Sequence, residues 1–242
     1  MVGHGQGADR ALCYAAIMNE LASRTILGFA ALIVILGVVL FVPAGTLAYW
    51  QGWTYLGIFA GSSALITVYL WKRDPQLLER RVHAGPVAEQ EWSQKLIQLA
   101  ASAAFIGILM LPALDHRFSW SDVPLPIVIV GDLLVALGFL AVFAVFKENT
   151  FTAATIEVAA DQTVISTGPY SIVRHPMYAG ALVMLLGTPL ALGSGWGLAM
   201  FILMALVIVL RLLDEETFLS KHLPGYESYR QKVRYRLVPF VF

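Results

Sequence analysis

Residues 26–49 read ILGFAALIVILGVVLFVPAGTLAY, a run without a single charged side chain. Crossing about 30 Å of hydrocarbon takes roughly 20 apolar residues in a helix, because lipid offers no hydrogen-bond partner to an open backbone. This run is long enough, and it makes lipid the solvent for the helices that follow. Three further segments pass the same test, at 53–71, 96–114 and 125–146. Apolar residues resume over 177–213, where Gly193-Ser194-Gly195 reads as a tight turn joining two helices of about 17 residues each. The expected fold is all-α: a polytopic membrane helical bundle of about six helical segments that ends in a helical hairpin. One membrane domain is expected over 1–242, with the N-terminal spans in 1–146 and a more polar C-terminal region in 147–242.

Composition agrees. Hydrophobic residues make up 58% of the 242 and charged residues 13%, roughly half the charged share of a soluble domain. Sixteen basic residues balance sixteen acidic ones, so the chain lacks the basic footprint of a nucleic-acid binder. The lone Cys13 has no disulfide partner and reads as an idle, packed thiol. The five histidines (His4, His83, His116, His175, His222) show no metal-binding spacing. The first 25 residues lack the basic start and long apolar core of a signal peptide, so 26–49 is expected to be a retained span. No internal repeat is visible.

The basic residues orient the bundle. With the N-terminus inside, fifteen of sixteen fall on the inner side and only Arg117 falls outside, a strong positive-inside bias. Both termini are therefore expected in the cytoplasm. Trp50, Trp53, Trp71, Trp92 and Trp120 sit near the ends of the expected spans, as interfacial aromatics do. The charged segment 72–95 reads as a connector along the inner surface, and Asp132 as a shallow acid packed against a neighbour's donor.

Polar groups concentrate in two inner stretches that flank the final hairpin. The first is QTVIST (162–167) followed by GPYSIVRHPMYAG (168–180). Gly168-Pro169 marks a turn, and Pro176 suits the first position of a helix. His175, preceding a proline, is pushed towards an extended conformation. A helix that starts this abruptly, beside Arg174 and His175, offers backbone donors to a carboxylate or phosphate. Equally, Arg174, His175, Tyr170 and Tyr178 read as interfacial anchors. The second stretch is RLLDEE (211–216), where Arg211 and Glu215 share a helical face. A structural salt bridge is one reading. However, the order Arg-before-Glu is the weaker one, three consecutive acids do nothing for insertion, and ionisable groups at membrane depth point to function. The tail GYESYRQKVRYRLVPF (225–240) reads as a cap over the inner opening or as an amphipathic, lipid-binding segment. Gly193-Ser194-Gly195-Trp196-Gly197 follows no strand, so it is not a dinucleotide fingerprint.

Together, QTVIST, GPYSIVRHPMYAG, RLLDEE and the aromatic-basic tail resemble the isoprenylcysteine carboxyl methyltransferase family over about residues 145–242. The resemblance implies methyl transfer from S-adenosylmethionine, with release of S-adenosylhomocysteine, in a cytoplasmic pocket of a catalytic C-terminal region. It implies cofactor contacts at Gln162, Thr163, Val164, Ile165, Tyr170, His175, Pro176, Met177, Tyr178 and Glu215, with a further polar contact near Thr155. Arg211 would face the substrate and act with Glu215 at the reacting centre. The partners so implied are membrane lipid and a lipophilic small molecule that enters sideways from the bilayer. Membrane phospholipid methyltransferases and sterol-reductase-like proteins carry similar C-terminal patterns, which keeps an amine methyltransferase and an NADPH-dependent reductase open as alternatives.

Overall fold

The computed structural model describes residues 5–82, 92–152 and 162–242, with side chains from residue 18 onward. His4, His83 and Thr155 lie outside the described residues, as does the side chain of Cys13. The described chain is all-helical: α1 (Gly5–Ala44), α2 (Trp50–Arg73), α3 (Pro75–Val82), α4 (Trp92–Phe118), α5 (Leu125–Glu148), α6 (Pro176–Ala191), α7 (Gly197–His222) and α8 (Tyr226–Lys232). A single 3-10 turn, Gly168–Ser171, precedes α6. Five helices (α1, α2, α4, α5 and α7) are long and apolar enough to cross a membrane, and α6 is a shorter apolar helix. The protein is a polytopic helical bundle.

The six expected segments are α1, α2, α4, α5, α6 and α7, but their lengths differ from expectation. α1 starts at Gly5, well before residue 26. The last two helices are unequal: α6 has 16 residues and α7 has 26. α7 continues past its apolar part through Asp214-Glu215-Glu216 to His222, so those acids sit more than a turn inside the helix and escape the unfavourable C-terminal dipole. Two amphipathic helices, α3 and α8, lie where a connector and a cap were expected.

Two clusters fix the up-and-down order of the helices. At one end Leu21, Leu70, Leu77, Leu78 and Phe146 pack together, with Trp71 and Met177 against them. At the opposite end the Tyr49 hydroxyl donates to the carbonyl of Leu192 (2.6 Å), and the Tyr49 ring stacks on His116. There the buried Asp115 accepts from the Ser121 amide and hydroxyl and from the Ser194 hydroxyl. Gly193 makes the hairpin turn with φ at +71°, a left-handed conformation that favours glycine. Asp132 departs from expectation. Its Oδ1 is buried and accepts no hydrogen bond from the described residues.

The tightest packing in the bundle is between α5 and the antiparallel α6, and it positions the start of α6. Gly131 and Gly138 on α5 face Gly187 and Gly180 on α6, both pairs spaced by seven residues. A Cβ at Gly131 would lie 2.2 Å from the amide nitrogen of Ala191, and one at Gly138 would lie 2.6 Å from that of Met184. The helices meet backbone to backbone, as small residues allow in lipid. Because those obstacles are backbone atoms, Gly131→Val is expected to cost at least about 2 kcal/mol, the scale of overpacking. Thermal unfolding in detergent checks this, and an unchanged midpoint would count against the packing described.

Candidate functional site

The site grows from the three consecutive acids of α7. Successive residues of a helix point about 100° apart, so Asp214, Glu215 and Glu216 serve three different neighbours. Asp214 faces α4, where it accepts from the carboxamide of Gln94 and, at 3.4 Å, from the Ser93 hydroxyl. Glu215 faces α6 and accepts from the Tyr178 hydroxyl at 2.6 Å. Glu216 faces the segment leading into α6 and the C-terminal tail.

Glu216 is only 4% exposed and is surrounded by cations. Its Oε1 accepts from Arg174 Nε at 2.7 Å and pairs with His175 Nε2 at 3.2 Å, and its Oε2 accepts from Arg236 Nε at 3.0 Å. Arg174 also donates to the carbonyls of Val233 and Arg234, and the amides of Arg174 and His175 donate to the carbonyls of Tyr235 and Arg236. One buried carboxylate thus ties the end of α7, the start of α6 and the tail into a single unit. The sequence left Arg174 and His175 open between an anion site and interfacial anchors; their side chains bond Glu216. What remains for an anion is backbone. Among the described residues α6 has no side-chain cap, and it begins with Pro176, which leaves the amides of Met177 and Tyr178 facing outward from the helix start.

Above this unit lies a cavity of about 680 Å³, within the range of small-molecule and cofactor sites. Every described residue expected at the site lines it: Gln162, Thr163, Val164, Ile165, Tyr170, His175, Pro176, Met177, Tyr178, Arg211 and Glu215. Arg211 and Glu215 do not form the direct salt bridge that their spacing allows. Tyr178 stands between them, donating to Glu215 and accepting from Arg211 Nε at 3.2 Å, while Arg211 Nη1 donates to Gln94 Oε1 at 3.1 Å. A cation and an anion therefore face one cavity, held apart by a phenol. The tail closes one side of it, with Tyr226, Tyr229 and Val233 packed on Val164, Tyr170 and Leu219.

Several wall residues escaped the sequence reading. Asn149, at the end of α5, donates from Nδ2 to the Tyr170 hydroxyl at 2.9 Å. Burial, reinforced by the charge of Glu215, pushes the Tyr170 phenol up to about 12 against the lowering effect of that bond. The phenol stays protonated at neutral pH. Arg81, on α3, reaches the cavity with its guanidinium over the Phe146 ring, 5.1 Å from the centroid, and Nη1 3.9 Å from Met177 Sδ. A helical projection of the three acids would have separated Glu216 from Glu215. Nothing in the sequence ties Gln94 to Arg211, 117 residues on, or Arg81 to Met177, 96 residues on.

Fold and cavity define the class: a polytopic membrane protein with a polar site enclosed at one end of its helical bundle. Residues 126–225 match the family model described as phospholipid methyltransferase. The Delta(14)-sterol reductase TM7SF2 of Mus musculus is 32% identical over 91 residues, 36% of this chain and 22% of that protein. The cobalt-zinc-cadmium resistance protein CzcN of Cupriavidus metallidurans is 30% identical over 107 residues, 43% of this chain and 48% of that protein. The chain thus spans less than half the length of these curated relatives. The matched region runs from α5 to the residue before α8, and resembles membrane methyltransferases without singling out the isoprenylcysteine branch.

Proposed function

We propose that the protein transfers the methyl group of S-adenosylmethionine to the carboxylate of a lipophilic, prenylcysteine-like acceptor at the cytoplasmic face of the membrane. The observation that carries this reading is the Tyr178 bridge, which presents Arg211 and Glu215 to one cavity. The family match over 126–225 supports the reaction class, and the basic bias of the inner segments supports the cytoplasmic side.

The residues fit such a cofactor. The open amides of Met177 and Tyr178 suit its carboxylate, and Glu215 suits a positive group. Gln162, Thr163, Val164, Ile165 and Tyr170 form the neighbouring wall for the rest of the molecule. S-adenosylmethionine supplies a methyl group on a sulfonium and leaves as S-adenosylhomocysteine. Arg211, steadied by Gln94 and Tyr178, orients the acceptor carboxylate through charge-assisted hydrogen bonds. That carboxylate is already ionised at neutral pH, so no general base is needed. The protein's contribution is alignment and exclusion of water, the latter by the tail aromatics.

The family description favours a second reading, a phospholipid amine methyltransferase. An amine must lose a proton before it attacks, so its turnover climbs with pH through the amine's titration. Turnover of a carboxylate acceptor stays flat above about pH 5. The test is incubation with methyl-labelled S-adenosylmethionine and a panel of prenylcysteines, amine lipids and small apolar acids at pH 6 to 9. Label in a base-labile ester with a flat profile is expected. Label in an amine lipid with a rising profile would replace this reading with the second. A chain that binds NADPH and transfers no label would be a reductase, the activity named for the mouse relative.

A further inference from the structure

We infer that the cavity contains a second, deeper polar station, formed by Ser63, Thr67 and Gln98, that recognises a neutral oxygen-bearing group on the acceptor's apolar tail. It rests on the reading above only in taking the tail of the acceptor as the occupant of this part of the cavity.

Beyond the charged wall the cavity continues into the bundle, where Leu32, Ile66, Phe139 and Met184 line it. Ser63 and Thr67 on α2 and Gln98 on α4 line it too. Ser63 and Thr67 are four residues apart, so they share one face of α2. Leu70 packs in the same cluster as Met177 and so marks the level of the α6 start. At 1.5 Å per residue, Thr67 and Ser63 lie roughly 5 and 10 Å deeper than that level. Gln98 is one turn deeper along α4 than Gln94, the partner of Arg211.

These three side chains line the cavity without a described hydrogen-bond partner, as Thr25 does outside it. A hydroxyl in a helix usually turns back to the carbonyl four residues earlier. Thr54, Ser102, Thr188 and Thr217 all do so, with bonds of 2.8 to 3.2 Å. Ser63 and Thr67 make no such bond, and neither they nor the Gln98 carboxamide bond to any described residue. A plain hydrocarbon tail lying against them would leave three polar groups unsatisfied among apolar neighbours, which is unfavourable. Hydroxyl and carboxamide groups both give and accept hydrogen bonds. The charged residues on the cavity wall are Arg81, Arg174, His175 and Glu215, at the level of α3 and the α6 start, and Arg211, one turn deeper on α7 and bonded to Tyr178 and Gln94. The chemistry therefore suits a neutral oxygen, a carbonyl or hydroxyl, one to two helical turns from the reacting carboxylate.

The probes are dodecanoic acid and its isomers carrying one keto group at carbons 4 to 10. Binding is measured by calorimetry on the full chain in lipid nanodiscs, loaded with S-adenosylhomocysteine. One isomer, or two adjacent ones, is expected to bind about tenfold more tightly than dodecanoic acid, the effect of one neutral hydrogen bond. The preference is expected to vanish in the near-isosteric double variant Ser63→Ala/Thr67→Val and to shrink in Gln98→Leu, while plain dodecanoic acid binds more tightly to both, because its tail no longer leaves polar groups unsatisfied. Equal binding of all isomers, no binding of any, or a preference that survives both variants would overturn the inference. Because the readout is acid binding, such a result leaves the methyl-transfer reading standing. That reading fails separately if S-adenosylhomocysteine itself does not bind.

Discussion

Replacing Glu215 with alanine is expected to weaken binding of S-adenosylhomocysteine roughly 10- to 100-fold, while thermal stability stays near that of the parent protein. The carboxylate is half-buried on the cavity wall and its described hydrogen bond is from Tyr178, so it holds no other helix in place. Its charge is therefore available to a cationic ligand, and hydrogen bonds to charged groups contribute about 1.5 to 3 kcal/mol. Glu215→Gln keeps an acceptor for the Tyr178 hydroxyl and removes only the charge. It should lose most of the affinity as well. Calorimetry on the two variants reads both effects, and undiminished affinity in Glu215→Gln would remove Glu215 from the cofactor site.

The adjacent residue should behave in the opposite way. Glu216→Ala leaves Arg174, His175 and Arg236 gathered around a missing carboxylate, with Arg174 and His175 both buried. Removing one partner of a buried ionic cluster costs about 3 to 5 kcal/mol, because the remaining charge has lost its compensation. A loss of that size is a large share of an ordinary domain's stability. Glu216→Ala should therefore melt far below the parent, or fail to accumulate folded. The tail should loosen first, since Arg236 is one of its links to α7. Hydrogen exchange at residues 233–242 would detect this before global unfolding does. A Glu216→Ala protein as stable and as protected in its tail as the parent would contradict the clasp. Two neighbouring glutamates, one mainly functional and one mainly structural, are thus separable by experiment.

That separation also shows what could be read from the sequence and what could not. The spans were legible because lipid imposes a length on any apolar run, and the hairpin because Gly193 sits where the backbone needs a positive φ. The candidate site was legible because its polar groups crowd two short stretches flanking that hairpin, and all eleven residues named there line one cavity. The partners of those residues were not. Arg174 and His175 look available for an anion until Glu216 is placed between them, and Arg211 looks paired with Glu215 until Tyr178 intervenes. Gln94 steadies Arg211 from the first turn of a helix more than a hundred residues earlier, a contact no local pattern encodes. α3 and α8 were read as surface segments because short amphipathic helices lack the length signal of a span.

The proposed activity requires the two charged ends of the final helix pair to enclose a nucleoside cofactor. Equilibrium titration of the purified chain with S-adenosylhomocysteine, and in parallel with NADPH, tests this most directly. Saturable, one-to-one binding of S-adenosylhomocysteine with no detectable uptake of NADPH is the predicted result. Saturable binding of NADPH with none of S-adenosylhomocysteine would contradict it.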